Sequence, residues 1–72
     1  MTKYVFQNYI THKHAVVIQP KTGDYYNGER WFVEYYRLGT IDYDYRGTQG
    51  TGVKVFKTET SAIRSALHYI KQ

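Results

Sequence analysis

Short segments rich in β-branched and aromatic residues occupy the N-terminal half of the chain and predict strands. The first covers residues 4–10 and the second covers residues 15–19, with a short polar turn at residues 11–14 between them. Residues of these types favour strands because their side chains pack well on a pleated surface. Pro20 ends the second strand since it has no N–H for the sheet. Residues 21–28 then carry the turn signals of a loop.

A longer pattern, at residues 30–38 and 41–46, predicts a β-hairpin. Its second arm alternates between apolar and charged residues, as a half-buried strand does. Gly39-Thr40 fits a two-residue turn with glycine first. This turn places Leu38 opposite Ile41 and so sets the register of the whole hairpin. Arg37 then faces Asp42, Tyr35 faces Asp44 and Val33 faces Arg46.

That register assigns the hairpin side chains to two faces, because directly opposed residues share a face. The face predicted to meet the core holds Phe32, Glu34, Tyr36, Leu38, Ile41, Tyr43 and Tyr45. The face predicted to look outward holds Trp31, Val33, Tyr35, Arg37, Asp42, Asp44 and Arg46. The assignment depends on the turn, since a slip of one residue exchanges the two faces.

The C-terminal part predicts one more strand, at residues 53–57, followed by a helix. Thr58 is a suitable N-cap, and Glu59 in the first turn suits the helix dipole. Apolar side chains then recur at helical spacing, at Ala62, Ile63, Ala66, Leu67 and Ile70. We therefore predict a single α+β domain over residues 1–72, with an antiparallel four- to five-stranded sheet and one C-terminal helix packed on one face.

The amino-acid composition excludes several classes of function for this chain. The chain has 72 residues, a net charge of +4, a pI near 9.4 and nine tyrosines. It has no cysteine, which excludes disulfides and thiolate metal sites. No apolar run approaches the roughly 20 residues of a membrane span, and the first residues lack the layout of a signal peptide. We expect a soluble, cytoplasmic protein without a membrane partner, and a basic, tyrosine-rich sheet of this kind suits an anionic ligand.

The glycine-rich sequence GTQGTG, residues 47–52, is similar in composition to a phosphate-binding loop. Its spacing, G-x-x-G-x-G, reverses the dinucleotide fingerprint, and the residues after it favour a strand instead of a helix. We interpret it as a flexible connection between Arg46 and Lys54, with free backbone amides that can follow a nucleic-acid phosphate.

Metal, cofactor and catalytic chemistry have little support in the sequence. His12 and His14 lie two residues apart without a third ligand nearby, so we expect no metal site. Asp42 and Asp44 each have a basic neighbour, so a structural ion pair explains their presence without catalysis. A chain of this size also has little room for a substrate pocket. We expect neither a cofactor nor an enzymatic activity.

The predicted outward face suggests a binding surface. Aromatic rings on an open sheet stack on bases or sugars, and arginines beside them neutralise phosphates. The residues expected to contact nucleic acid are Trp31, Tyr35, Arg37, Arg46, Lys54 and Lys57. The same residue types suit a protein-binding hot spot, whereas Asp42 and Asp44 on this face repel phosphate. Alternatively, Trp31 covers the edge of the core.

Residues 30–67 resemble the arm-type DNA-binding domain of phage and transposon integrases, which is similar to the plant ethylene-response-factor fold. The resemblance rests on Trp31-Phe32-Val33 at the start of a strand, on the hairpin, and on Val55-Phe56-Lys57-Thr58 before a helix with Ala62 and Ala66. It implies a three-stranded sheet packed on one helix, with the open sheet face in the DNA major groove. In size the chain is also similar to small phage proteins that inhibit host machinery.

Two functions are therefore expected. The first is a small non-enzymatic nucleic-acid-binding module from a phage or mobile element, with DNA preferred to RNA. The alternative is a protein-binding inhibitor of host machinery, such as an anti-CRISPR protein or a polymerase inhibitor. An unpaired edge strand also allows a dimer through a sheet edge.

Overall fold

The computed structural model describes residues 2–19 and 30–72, which form an antiparallel sheet with one helix packed on one face. The elements are β1 (Thr2–Asn8), β2 (Lys13–Gln19), β3 (Trp31–Arg37), β4 (Thr40–Ile41), β5 (Val53–Phe56) and α1 (Glu59–Lys71). Strand β2 lies between β1 and β3, while β4 and β5 both pair with the other edge of β3. The predicted α+β class and C-terminal helix are confirmed. The predicted strand end at Pro20 and the loop at residues 21–28 lie outside the described residues.

The core lies between α1 and one face of the sheet. Its buried members are Ala15, Val17, Trp31, Val33, Tyr35, Ala62, Ala66, Tyr69 and Ile70. Two of the four buried helix residues are alanines, and these small side chains let the helix backbone approach the sheet. Tyr69 is buried where Leu67 was expected, and Leu67 is 36% exposed instead. Within the described residues, no helix has the length and hydropathy needed to cross a bilayer.

Both ends of α1 are held by specific hydrogen bonds. Thr58 is the N-cap, as predicted, and its hydroxyl accepts from the Ser61 N–H at 3.2 Å. At the other end, the Ile70 carbonyl accepts from Asn8 Nδ2 at 2.9 Å and from Thr11 Oγ1 at 2.8 Å. Because the last carbonyls of a helix have no partner within it, these bonds tie the helix to the β1–β2 turn.

The turn after β3 differs from the prediction by one residue. Arg37 pairs with Thr40, so the two turn residues are Leu38 and Gly39. Their φ angles are 52° and 79°, which is type I′ geometry with positive φ at both central positions. The predicted turn at Gly39-Thr40, and with it the predicted pairing of Leu38 with Ile41, is therefore wrong.

This slip exchanges the two faces of β3. Trp31, Val33 and Tyr35 were predicted to look outward, but they lie beneath α1 and are at most 7% exposed. Phe32, Glu34 and Tyr36, predicted to meet the core, lie on the opposite side of the strand, because successive side chains of a strand point to opposite faces. The three core residues of β3 pack beside the small side chains of Ala15 and Val17 on β2.

Between β4 and β5 the chain leaves the sheet and returns to the same edge of β3. Asp42 donates its N–H to the Tyr35 carbonyl at 2.7 Å, and Tyr35 donates its own N–H to the Gly52 carbonyl at 2.9 Å. One residue of β3 thus holds both ends of residues 42–52, which we call the excursion loop. In the terms of sheet geometry it is a very large bulge, since a regular strand would place one residue opposite Tyr35.

The predicted strand at residues 41–46 therefore ends at Ile41. The expected pairings of Asp42, Asp44 and Arg46 with β3 side chains do not form, because the chain turns away from the sheet. Tyr45 packs inward instead, with its ring centroid 4.6 Å from that of Tyr35. An alternating sequence pattern thus belongs here to a loop that contributes one aromatic ring to the core.

Candidate functional site

The side of the sheet opposite α1, which we call the open face, is mostly apolar. The strand register places on it Val5, Val16, Ile18, Phe32, Tyr36, Ile41, Val53 and Val55, together with the polar residues Lys3, Gln7, His14 and Glu34. Val5 and Val55, on the two edge strands, are 57% and 40% exposed, whereas Val16 in the middle of the face is only 8% exposed. No helix or strand from residues 2–19 and 30–72 covers this face.

The open face lacks the polar alternation that is typical of an antiparallel sheet with one side in water. Strand β2 contains the continuous apolar run from Ala15 to Ile18, and β3 begins with the apolar run from Trp31 to Val33. Nearly continuous apolar strands are typical of sheets that are covered on both sides. The pattern therefore indicates a surface that is suited to burial against another molecule.

Glu34 is the one carboxylate that the described residues place on the open face. It lies between Val16 on β2 and Val53 on β5. Its carboxylate accepts a hydrogen bond from the Tyr36 hydroxyl at 3.3 Å, and burial together with this carboxylate raises the pKa of Tyr36. Burying a carboxylate is costly unless it is paired, so a partner on this face must offer Glu34 a cation or a hydrogen-bond donor.

Two of the predicted nucleic-acid contacts are buried on the other side of the sheet. The Trp31 ring stacks on Tyr4, with centroids 6.3 Å apart and planes 10° apart. Tyr35 is enclosed, and its hydroxyl shares a hydrogen bond of 2.6 Å with Ser65. Neither ring offers a face to a base or sugar, and the alternative that Trp31 belongs to the core is the one observed. The prediction placed them wrongly because the turn was assigned one residue too late.

The four predicted cations, Arg37, Arg46, Lys54 and Lys57, are all exposed. Arg37 and Arg46 line a cleft of about 380 Å³ on the helix side, with walls formed also by Lys13, Asp42, Asp44, Tyr45, Tyr69 and Gln72. Lys54 lies next to the excursion loop, with Nζ 5.5 Å from the centroid of the Phe56 ring. The structure therefore brings Arg37 and Arg46 together in a cleft on the helix side, away from the open face.

The glycine-rich part of the excursion loop uses its backbone amides internally. Thr48 donates its N–H to the Tyr45 carbonyl at 3.3 Å, and Thr51 donates its N–H to the Thr48 carbonyl at 3.1 Å. The Val53 N–H is bonded to the Thr51 hydroxyl at 3.2 Å. A phosphate-binding loop needs amides that point at the ligand, so these three amides are not the free donors that the sequence suggested.

The described residues contain no convergent group of three His, Cys, Asp or Glu side chains that would hold a metal ion. His14 stacks instead on Tyr36, with ring centroids 4.4 Å apart and planes 6° apart. The open face itself was not found from the sequence, although its signal was present. The unbroken apolar run in β2 is that signal, because it fits a strand with both faces covered.

No protein family, curated protein or solved structure matches this chain. The resemblance to the arm-type DNA-binding domain of integrases, and the likeness in size to phage inhibitors, therefore stay predictions.

Proposed function

We propose that the protein is a protein-binding module that uses the open face. The proposal rests on the central strands β2 and β3. Both strands are apolar on their two sides, but α1 covers only one side. Val5 and Val55 extend this character to both edge strands and are well exposed. Removing apolar surface from water stabilises a complex by roughly 25 cal/mol per Å² before the costs of association.

The size of the open face suits a small, transient interface. Four neighbouring strand positions at about 4.8 Å and six residues at about 3.4 Å give a footprint of roughly 20 by 20 Å. A partner that covers it removes at most about 800 Å² from water over the two surfaces, which is below the roughly 1,200–2,000 Å² of a standard interface and in the range of weak, transient complexes.

Glu34 favours a different protein over a second copy of this chain. A symmetric dimer repeats the same patch on both subunits, so a pairing centred on this face brings Glu34 towards its own copy and buries two like charges. A partner with an apolar surface and one Lys or Arg opposite Glu34 avoids this cost. The partner is therefore a protein of complementary charge at the centre of the contact.

The test compares Val5→Lys and Val55→Lys with the matched control Leu67→Lys, which adds the same charge on the exposed side of α1. Each purified chain, with its fold checked by circular dichroism, is used to capture proteins from nuclease-treated lysate. We expect wild type and Leu67→Lys to retain the same stoichiometric protein, and both valine variants to bind that purified protein at least tenfold more weakly.

Three outcomes would contradict the proposal. One is the absence of any stoichiometric partner, and another is an equal loss of binding in Leu67→Lys. The third is concentration-dependent dimerisation in sedimentation runs that Val55→Lys abolishes, which would assign the open face to a second copy.

A second candidate function is nucleic-acid binding on the helix side. It is favoured by the cleft that gathers Lys13, Arg37 and Arg46 and by Lys54 nearby. Cations that neutralise phosphates make binding weaken as salt rises, with a slope of about 0.9 per contact on duplex DNA. Asp42 and Asp44 in the same cleft oppose this function, so the expected affinity is low.

A salt titration of a fluorescent 20-base-pair duplex tests this second candidate. We expect Arg46→Gln to reduce the salt slope by about 1, as the loss of one phosphate contact does. The control Lys3→Gln, on the open face, is expected to leave the slope unchanged. Binding that is undetectable at low salt, or that does not weaken as salt rises, rules the candidate out.

A further inference from the structure

Strand β1 forms one edge of the sheet and lacks the features that usually protect an edge. Among the described strands, only β2 pairs with it. Its seven residues keep an unbroken register, without a bulge or a proline, and Lys3 is its one charged side chain. Short length, charges, prolines and bulges are what usually keep an edge strand from pairing with another chain. The other edge of the sheet is protected, because β4 and β5 have two and four residues.

Hydrogen bonds between the strands show which residues of β1 direct their backbone groups outward. The Leu38 N–H donates to the His12 carbonyl at 2.8 Å, so these two opposed residues form a bonded pair. Bonded and non-bonded pairs alternate along an antiparallel ladder, so the even-numbered residues of β2 are bonded to β3. Its odd-numbered residues are therefore bonded to the even-numbered residues of β1. The N–H and carbonyl groups of Lys3, Val5 and Gln7 consequently point to the free edge.

The free edge and the open face form one continuous surface. The side chains of Lys3, Val5 and Gln7 lie on the open face, and all three are exposed. We infer that two copies of this chain pair through β1 in antiparallel orientation, with Val5 opposite Val5 of the second copy. The pairing joins the two sheets into one.

The sequence of β1 is complementary to itself in this register. Three outward residues with two backbone groups each give six groups per copy, and the hydrogen bonds between the copies satisfy all of them. Lys3 pairs with Gln7 on both sides of the central Val5 pair. On the helix side of the sheet, Tyr4 lies opposite Phe6, an aromatic pair that stabilises neighbouring strands. Any shifted register places an outward residue beyond the end of the other β1 strand.

The charges of the chain are compatible with this pairing. Lys3 lies opposite the neutral Gln7 of the second copy. The two Lys3 side chains are four residues apart along the strands, or roughly 14 Å, which exceeds the screening length of about 8 Å at physiological salt. Glu34 lies on the third strand of each sheet, so the two carboxylates are roughly 24 Å apart. The like charges that disfavour a face-to-face dimer therefore do not meet in this one.

A shared sheet doubles the surface that is available to the protein partner. The two-fold axis of an antiparallel strand pair is perpendicular to the sheet, so both open faces lie on the same side. A partner that spans them removes up to about 1,600 Å² from water, which is the standard size of a specific interface. This consequence rests on the proposed protein-binding function, whereas the pairing of β1 does not. Strand pairing alone buries little surface, so we expect a weak dimer.

The test is disulfide crosslinking, because the chain has no cysteine and each variant then carries a single thiol. The variant is Val5→Cys. The matched control is Val55→Cys, which replaces an exposed valine of the open face on the opposite edge. A bonded antiparallel pair has Cα atoms about 5.5 Å apart, within the roughly 4.4–6.8 Å that a disulfide spans. Under mild oxidation, with each fold checked by circular dichroism, we expect Val5→Cys to form covalent dimers at least tenfold faster than Val55→Cys.

A mixture of two further variants tests the register. Lys3→Cys and Gln7→Cys, one of them carrying a mass tag, place their thiols opposite each other across the two copies. We expect mixed dimers at least tenfold faster than Lys3→Cys forms dimers with itself, because its own two thiols are roughly 14 Å apart. Adding Val55→Lys to Val5→Cys should leave the rate of crosslinking unchanged.

The outcomes separate this inference from the proposed function. Equal rates for Val5→Cys and Val55→Cys would overturn the inference, and so would mixed dimers that form no faster than those of Lys3→Cys alone. Neither result affects the proposed function, since one copy of the open face can still capture a protein. Crosslinking of Val5→Cys that Val55→Lys slows tenfold would show two open faces packed against each other, which overturns both.

Discussion

At the scale of single residues, Gly52 shows how closely two elements approach where the excursion loop ends. Its φ is 71°, and a Cβ at this position would lie 2.9 Å from Ile41 Cγ1 and 3.4 Å from the Asp42 carbonyl oxygen. Its own carbonyl accepts the Tyr35 N–H. A side chain here would push β4 away from the start of β5.

We expect Gly52→Ala to lower the free energy of unfolding by about 2–5 kcal/mol. Left-handed strain contributes roughly 1–2 kcal/mol, and the overpacked contact with Ile41 adds typically 1–3 kcal/mol. The control is Gly50→Ala, where φ is 82° but no atom lies within 4 Å of the added carbon. Urea denaturation of both variants isolates the contribution of crowding, and equal losses would show that Ile41 moves aside without cost.

At the scale of elements, three tyrosines join α1, β3 and the excursion loop. The ring centroids of Tyr35, Tyr45 and Tyr69 lie 4.6 to 4.9 Å apart. The Tyr69 hydroxyl donates its one proton to Asp42 Oδ2 at 2.7 Å, and the Tyr36 carbonyl lies 3.1 Å from the same hydroxyl. Buried tyrosines need such partners for their hydroxyls, so Asp42, which sequence reasoning paired with Arg37, serves Tyr69 instead.

This cluster predicts that alkaline pH unfolds the protein. Burial raises the pKa of Tyr35 to about 12, and burial followed by the hydrogen bond to Asp42 raises the pKa of Tyr69. The folded state thus prefers the neutral phenols, whose pKa in the unfolded chain is about 10. The contribution of Tyr35 to stability is complete below pH 10 and is lost as pH rises through about 12, and the contribution of Tyr69 changes in the same direction.

Urea denaturation at steps from pH 8 to pH 11.5 measures this loss. We expect the free energy of unfolding to fall above pH 10, and to fall less steeply in Tyr35→Phe, which has one fewer phenol to ionise. Identical slopes for wild type and Tyr35→Phe would show that Tyr35 does not contribute to the alkaline transition.

Which elements the sequence predicts well depends on whether their signals are local. The helix is predicted with its N-cap because Thr58 and the apolar spacing act within a few residues. The pairing of β3 with β5 is not predictable in this way, since it joins residues across the excursion loop. The hairpin turn failed because glycine fits either position of a two-residue turn, and leucine is a poor guide to a left-handed residue.

The one-residue error in the predicted turn also explains why the predicted binding site was partly wrong. The four predicted cations are exposed as expected, because a charged side chain stays in water on either face of the sheet. Trp31 and Tyr35 are amphipathic rings that suit either a core or a surface, so only the register decides between the two. A one-residue error therefore moved the aromatic residues of the predicted site into the core and hid the open face.

At the scale of the whole molecule, the net charge of +4 conceals a division between two sides. The open face is apolar around Glu34, whereas Lys13, Arg37, Arg46 and Lys54 lie on the helix side of the sheet. A protein on the open face and a polyanion on the helix side would contact different surfaces. The two proposed functions therefore do not compete for the same residues, and variants on one side are informative controls for the other.

The excursion loop has an evolutionary consequence. Because both of its ends are bonded to Tyr35, the register on either side is independent of how many residues lie between them. Doubling the length of a flexible loop costs only about 0.6 kcal/mol in closure entropy. The fold thus contains a place where insertions can accumulate without shifting a strand, provided that Tyr45 keeps its place in the core and a glycine remains at the point of return. Among descendants of this chain, length variation should concentrate there.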